Sequence, residues 1–213
     1  MKKNELQEKI VKLFLRLNGY FVTDLVIHSN KKGLNDTQID AVGVRFPFHE
    51  QKDREIACSE KLCIPENKID VLICEVKDTK GTPDFNKALT DNLDTIKKLL
   101  SWIGILNHSE IEKTREELRM DFKTIENDTY SIRPTIFTFG NGTNSEFLSI
   151  SGKDTLDFIW ECLRPNEDRE NCSTIYNYEM WGDYTEIVKY FKNMKGKSLG
   201  DMDGLYKHFG IKN

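Results

Sequence analysis

The chain holds 213 residues, 38% of them hydrophobic and 31% charged, and carries a formal net charge of −4. Those figures suit one well-filled core and exclude a membrane-spanning helix, because no apolar run approaches the roughly 20 residues a bilayer requires. They also exclude a uniformly basic surface, so any contact with a polyanion has to be local.

The opening run from Met1 to Glu8 is polar and unlike a secretory leader, so a cytoplasmic location is expected. Residues 5–18 place Leu6, Ile10, Leu13, Phe14 and Leu17 at helical spacing. That pattern predicts an amphipathic helix, and Gly19 suits its left-handed C-terminal cap. Tyr20 to His28 is rich in β-branched and aromatic residues and predicts a strand. A polar turn with Lys31 and Gly33 leads to a second strand, Gln38 to Phe46, closed by Pro47. Residues 48–67 are mixed and polar; they read as a hairpin insertion with a short strand around Arg54 to Ser59. Ile69 to Val76 is the most strand-like stretch, apolar on both faces as expected of a central strand covered on two sides.

A long helix is expected over Phe85 to Leu106, begun by Thr82-Pro83-Asp84, with a charged helix over Glu110 to Ile125. Ile132 to Phe139 predicts another strand, its proline pointing to a position near a start or an edge. Gly140-Asn141-Gly142 is a turn. Asp154 to Leu163 and Asp183 to Met194 read as amphipathic helices. The order predicts an α/β fold, a central mixed sheet flanked by helices. Residues 1–145 form its core and 146–213 a helical extension packed on the same domain.

The five cysteines are an odd number without a leader, which speaks against a disulfide framework. Cys58 and Cys63, with His49 upstream, lack the second close pair of a tetrahedral zinc site. Trp102, Trp160 and Trp181 are expected as core or interface anchors. Basic residues gather at Lys2, Lys3, Lys9, Lys12 and Arg16, and again beyond Lys189.

Three Glu-x-Lys triplets occur: Glu50/Lys52, Glu66/Lys68 and Glu75/Lys77. The first two lie in polar, turn-like sequence. Only Glu75 and Lys77 end an apolar strand, where residues two apart share a face. A carboxylate beside a core strand is costly unless compensated. Asp40, inside the apolar run Ile39 to Val44, is a second such carboxylate. Two strands of one sheet could bring Asp40 and Glu75 together on a hard cation, which prefers oxygen ligands. Asp70 also follows an isoleucine, but it stands five residues before Glu75 and faces the other way.

Asp40 followed by Glu75-Val76-Lys77 on the next core strand resembles the PD-(D/E)xK nuclease superfamily of restriction endonucleases, Mrr-like enzymes and Holliday-junction resolvases. Ile39 replaces the proline of that motif, and the stretch from Asp40 to Glu75 is longer than in compact members. The pattern also expects an acidic residue on the first helix. Glu8 fits, with Glu5 as the alternative one turn earlier.

The resemblance covers roughly residues 5–140 and implies a restriction-endonuclease-like core. It implies that Asp40 and Glu75 bind Mg2+ or Mn2+, completed by the Val76 carbonyl, with Glu8 acting directly or through water. Lys77 would position the attacking water. The implied reaction is phosphodiester hydrolysis, in DNA before RNA, and many enzymes of this fold dimerise to cut both strands. Gln38 and Lys80 are candidate substrate contacts, with Lys31 and Lys87 behind them. The alternative is a catalytically idle nuclease fold used to bind nucleic acid or protein.

Overall fold

A computed structural model describes residues 1–29, 31–51, 55–163, 178–194 and 201–211. Helix α1 (Lys3–Leu17) leads into β1 (Phe21–His28) and β2 (Asn35–Arg45), then β3 (Ile69–Lys77). Three helices follow: α2 (Lys87–Thr90), α3 (Leu93–Ile103) and α4 (His108–Met120). Strands β4 (Ile125–Glu126), β5 (Tyr130–Thr138) and β6 (Leu148–Ser151) precede α5 (Gly152–Leu163). A 3-10 stretch at Tyr178–Tyr184, α6 (Thr185–Asn193) and α7 (Met202–His208) close the chain. The fold is α/β: a mixed six-stranded sheet in the order β1-β2-β3-β5-β4, with β6 also on β5. The β1–β2, β2–β3 and β4–β5 pairs are antiparallel, while β3–β5 and β5–β6 are parallel.

Apolar alternation on β3 produces two cores. Leu72 and Cys74 meet Leu6, Ile10 and Phe14 of α1 and residues of α5, α6 and α7 on one face. Val71 and Ile73 meet Ile96 and Leu99 of α3 and Leu118 of α4 on the other. Phe14 is fully buried and packs edge-on against Phe137 and Phe158. Burying a side chain of that kind contributes about 1.5–3 kcal/mol. Gly19 ends α1 at φ +83°, and a Cβ there would stand 2.5 Å from the His49 ring, so this cap requires glycine twice over.

Several expectations are corrected. The helix expected over 85–106 is two helices, because Asn86 and Asn92 each turn a side-chain oxygen onto main-chain N–H groups and start a helix afresh. The charged helix ends at Met120. Arg54 lies outside the described residues, and Glu55 to Ser59 form no strand. Among the described residues the 48–67 segment is irregular, with one 3-10 turn at Glu60–Leu62, rather than a hairpin.

Residues 146–213 are not wholly helical, since β6 adds to the sheet at β5. β5 is no edge strand: every residue of it is buried. Its proline is tolerated because Pro134 falls in the gap between β4, which pairs as far as Ile132, and β6, which begins at Thr135. Trp102 is 51% exposed and anchors no core.

Asp70 is used structurally. Its carboxylate accepts two hydrogen bonds from Arg133, at 2.8 and 2.6 Å, and one from the Tyr20 hydroxyl. Arg133 also donates to the Leu62 carbonyl at 2.7 Å. A buried pair satisfied this fully ties the irregular segment to the sheet.

Candidate active site

The β2–β3 ladder runs from Arg45 opposite Asp70 to Ala41 opposite Cys74, and the next residues beyond its end are Asp40 and Glu75. On its other side β2 is bulged. Thr23 pairs with Val42 and Leu25 with Ile39, so Asp40 and Ala41 together stand against Asp24 alone. The bulge breaks the alternation: Ile39 and Val42 enter one core and Ala41 the other. An extra residue of this kind bends a strand and re-aims its side chains. Here it presents a carboxylate, and the Val76 N–H donates to Asp40 Oδ2 at 2.8 Å.

Glu75 is only 7% exposed. Its Oε1 accepts from Lys77 Nζ at 2.6 Å, and its Oε2 is buried with no hydrogen-bond partner. A buried carboxylate oxygen without a partner is expensive, and such an atom asks for a ligand.

Glu8, half-buried on α1, is coupled to the same group. Burial pushes the carboxyl of Glu8 above the ordinary range, and the negative charge of Asp40 pushes it further. Burial likewise raises Glu75, against the hydrogen bond from Lys77 and with help from the charges of Asp40 and Glu8. Asp40 is raised by burial, against the Val76 N–H and the charges of Lys77 and Lys12. Three carboxyl groups thus share a poorly solvated region and repel one another. Glu5 is exposed and accepts from the Lys2 N–H at 2.8 Å, capping its own helix; the electrostatic partner of Asp40 is Glu8.

Gln38 and Lys80 are exposed, as are Lys31 and Lys87, and among the described residues none of their side chains hydrogen-bonds to Glu8, Asp40, Glu75 or Lys77. Among the described residues, no three His, Cys, Asp or Glu side chains stand close enough to enclose a metal ion by themselves. Cys58 is half-buried and Cys63 exposed, both as free thiols.

Two neighbours lay outside the motif. Lys12 comes one helical turn after Glu8, and its ammonium approaches Asp24, opposite the bulge, at 3.5 Å with the side chain only 12% exposed. The i,i+4 spacing from Glu8 was the available signal. Asp78 follows Lys77 directly and is held by Lys3 at 2.8 Å and by the Gln7 amide at 3.1 Å.

No family model matches the chain. No solved structure matches it either. The chain is similar to the human protein named coiled-coil domain-containing protein 112, at 28% identity over 159 residues. The match takes in 70% of this chain and 35% of that protein, so the chain spans about a third of that relative's length. Among the described residues the longest helix is α1, of 15 residues, and it packs on the sheet rather than in a coiled coil. No described helix is long and apolar enough to cross a membrane.

Proposed function

We propose that the chain is a divalent-metal-dependent nuclease with a restriction-endonuclease-like core, hydrolysing phosphodiester bonds in DNA. The observation that carries this reading is the buried, unpartnered Oε2 of Glu75 beside Asp40, with Lys77 on the same strand end. Two carboxylates are a sufficient protein contribution for magnesium, which commonly keeps water and substrate phosphate as its other ligands. The donor set is all oxygen, the kind hard cations prefer. Asp40 and Glu75 would hold Mg2+ or Mn2+, with the Val76 carbonyl beside them and Glu8 acting directly or through water.

When bound, such an ion polarises the phosphoryl oxygen and lowers the pKa of bound water. The remaining work falls to the chain. The Lys77 ammonium, freed from Glu75 Oε1, orients the attacking water and offsets the charge that develops at phosphorus. Glu8 adds negative charge that favours a cation and can accept a proton from water. The bulge keeps Asp40 aimed at the end of β3.

The test is cleavage of plasmid and single-stranded DNA with Mg2+ or Mn2+, alongside calorimetric titration with Mn2+. Cleavage that depends on metal, Asp40 and Lys77 supports the proposal. No cleavage of any nucleic acid and no binding of Mn2+ would sink it.

A second reading is a catalytically idle nuclease fold that binds nucleic acid or a protein. It is favoured by the occupied state of the ligands: Lys77 neutralises Glu75, and Asp40 already accepts from Val76. Mn2+ binding that disappears in Asp40→Asn argues against it.

A further inference from the structure

Helix α7 lies far along the chain from the acidic group yet reaches its supports. The Gln7 side chain, 3% exposed, has two N–H bonds on one nitrogen. That nitrogen donates to Tyr206 of α7 at 2.7 Å and to Asp78 at 3.1 Å. Lys3 closes the arrangement, with its ammonium 2.8 Å from the same Asp78 oxygen and 5.2 Å from the centre of the Tyr206 ring. Asp201 caps α7 by accepting from the Gly204 N–H at 2.6 Å, and Leu205 and Tyr206 are buried against the α1 side of the sheet.

Gln7 is the residue before Glu8, and Asp78 is the residue after Lys77. One amide therefore fixes the helix turn that bears Glu8 and the strand end that bears Glu75 and Lys77. Both of its donors are spent on that task, so it has none left for substrate.

We infer that α7 is a positioning element of the acidic site, with Tyr206 acting through Gln7 to set where Asp78, and with it Lys77, stands. The catalytic half of this inference rests on the nuclease reading; the positional half does not. Side chains that hold reacting groups in place act through geometry, and small displacements reduce turnover while leaving binding intact.

The experiment uses the full chain and the variants Tyr206→Phe, Asp78→Ala and Asp78→Asn. Tyr206→Phe keeps the buried ring and loses only the hydroxyl. The Asp78 variants change an exposed side chain and leave the core alone. Amide hydrogen exchange of the segment covering residues 75–82 is measured without metal. Cleavage of plasmid DNA with Mn2+ is measured in parallel.

Tyr206→Phe and Asp78→Ala are expected to lose protection over 75–82. They should lower kcat by about tenfold to a hundredfold with KM and Mn2+ affinity unchanged. Asp78→Asn, which keeps an acceptor for Gln7, should recover most of the loss. The double variant Tyr206→Phe/Asp78→Ala should be no slower than Asp78→Ala, because both act through one amide. Unchanged exchange in Tyr206→Phe overturns the inference whatever the activity. Wild-type cleavage matched by Tyr206→Phe overturns its catalytic half. A wild-type chain that neither cleaves nor binds Mn2+ overturns the nuclease reading instead, and exchange still decides whether α7 holds the strand end.

Discussion

Asp40 Oδ2 accepts a hydrogen bond from the Val76 N–H at 2.8 Å, so a side chain of β2 is fastened to the main chain of β3 between Glu75 and Lys77. The two acidic residues are therefore held relative to each other by more than strand pairing. A rigid pair of carboxylates can discriminate between cations in a way that two loop residues cannot.

Removing one of those charges should stabilise the metal-free fold. Asp40→Asn keeps an acceptor for the Val76 N–H and relieves the repulsion felt by Glu8 and Glu75. We expect a higher Tm for this variant without metal, loss of any Tm increase on adding Mn2+, and loss of cleavage. A Tm below wild type in metal-free buffer would contradict the repulsion described for the site.

The pH dependence has a definite sign. Glu8, Asp40 and Glu75 have their carboxyls raised by burial in the folded state. The folded protein consequently holds protons that the unfolded chain has released, over the interval between the ordinary carboxylate range and the raised values. In that interval stability falls as pH rises, and it is regained as pH falls. Asp36 and Asp78 are lowered by their lysine partners and act in the opposite direction. The clean measurement is therefore the difference between wild type and Asp40→Asn in urea midpoints, from about pH 4 to about pH 7. The variant should gain relative to wild type as pH rises; a gap that narrows would overturn the assignment.

Lys77 neutralises Glu75 across an ion pair of 2.6 Å, and removing it tests what that pair does. Lys77→Ala should bind Mn2+ at least as tightly as wild type while cleaving about a hundredfold more slowly or worse. Titration calorimetry and single-turnover cleavage separate the two effects. Weakened Mn2+ binding in this variant would show that Lys77 supports the ligands instead of competing for them.

Two glycines fix the loop that follows Lys77. A Cβ on Gly140 would stand 2.1 Å from the Thr79 carbonyl oxygen, and one on Gly142 would stand 1.9 Å from that of Gly81. Both are contacts with backbone, which cannot swing aside. Gly142→Ala is expected to destabilise the fold and shift residues 78–83, read as a lower Tm and as altered exchange there. A variant with wild-type Tm would mean that the loop yields freely.

Asp70→Asn should be costly in a different way. It leaves the buried Arg133 side chain, 9% exposed, without its counter-charge. Breaking a buried pair on one side costs about 3–5 kcal/mol. Urea unfolding measures the loss, and Mn2+ binding by the remaining folded protein should be untouched.

The elements with long periodic patterns were legible in sequence. Leu6 to Leu17 marked α1, and Ile69 to Val76 marked the central strand to within a residue. The acidic group was legible as Asp40, Glu75 and Lys77 because charged residues inside apolar runs need a reason to be there. What escaped was shorter or relational. β4 has two residues and β6 four, too few for a period to emerge. Asn92 interrupts the helical stretch because a capping side chain competes locally with a pattern that otherwise continues. The place of Pro134 depends on where two other strands stop. Tyr206 is one more aromatic in an amphipathic segment until the fold sets it beside Gln7.

The bulge at Asp40 and Ala41 is a difference of count, not of kind. Deleting Ala41 would hardly alter composition or hydropathy, yet it would restore strict alternation and return β2 to the frame of β1. Ile39 and Val42 would still share a face, but Asp40 would fall opposite Cys74, in the place Ala41 now holds in the α1-side core, and the carboxylate would leave its station beyond the end of the β2–β3 ladder. Descendants of this chain can therefore exchange many residues on β2 and keep the acidic group. They cannot shorten it by one.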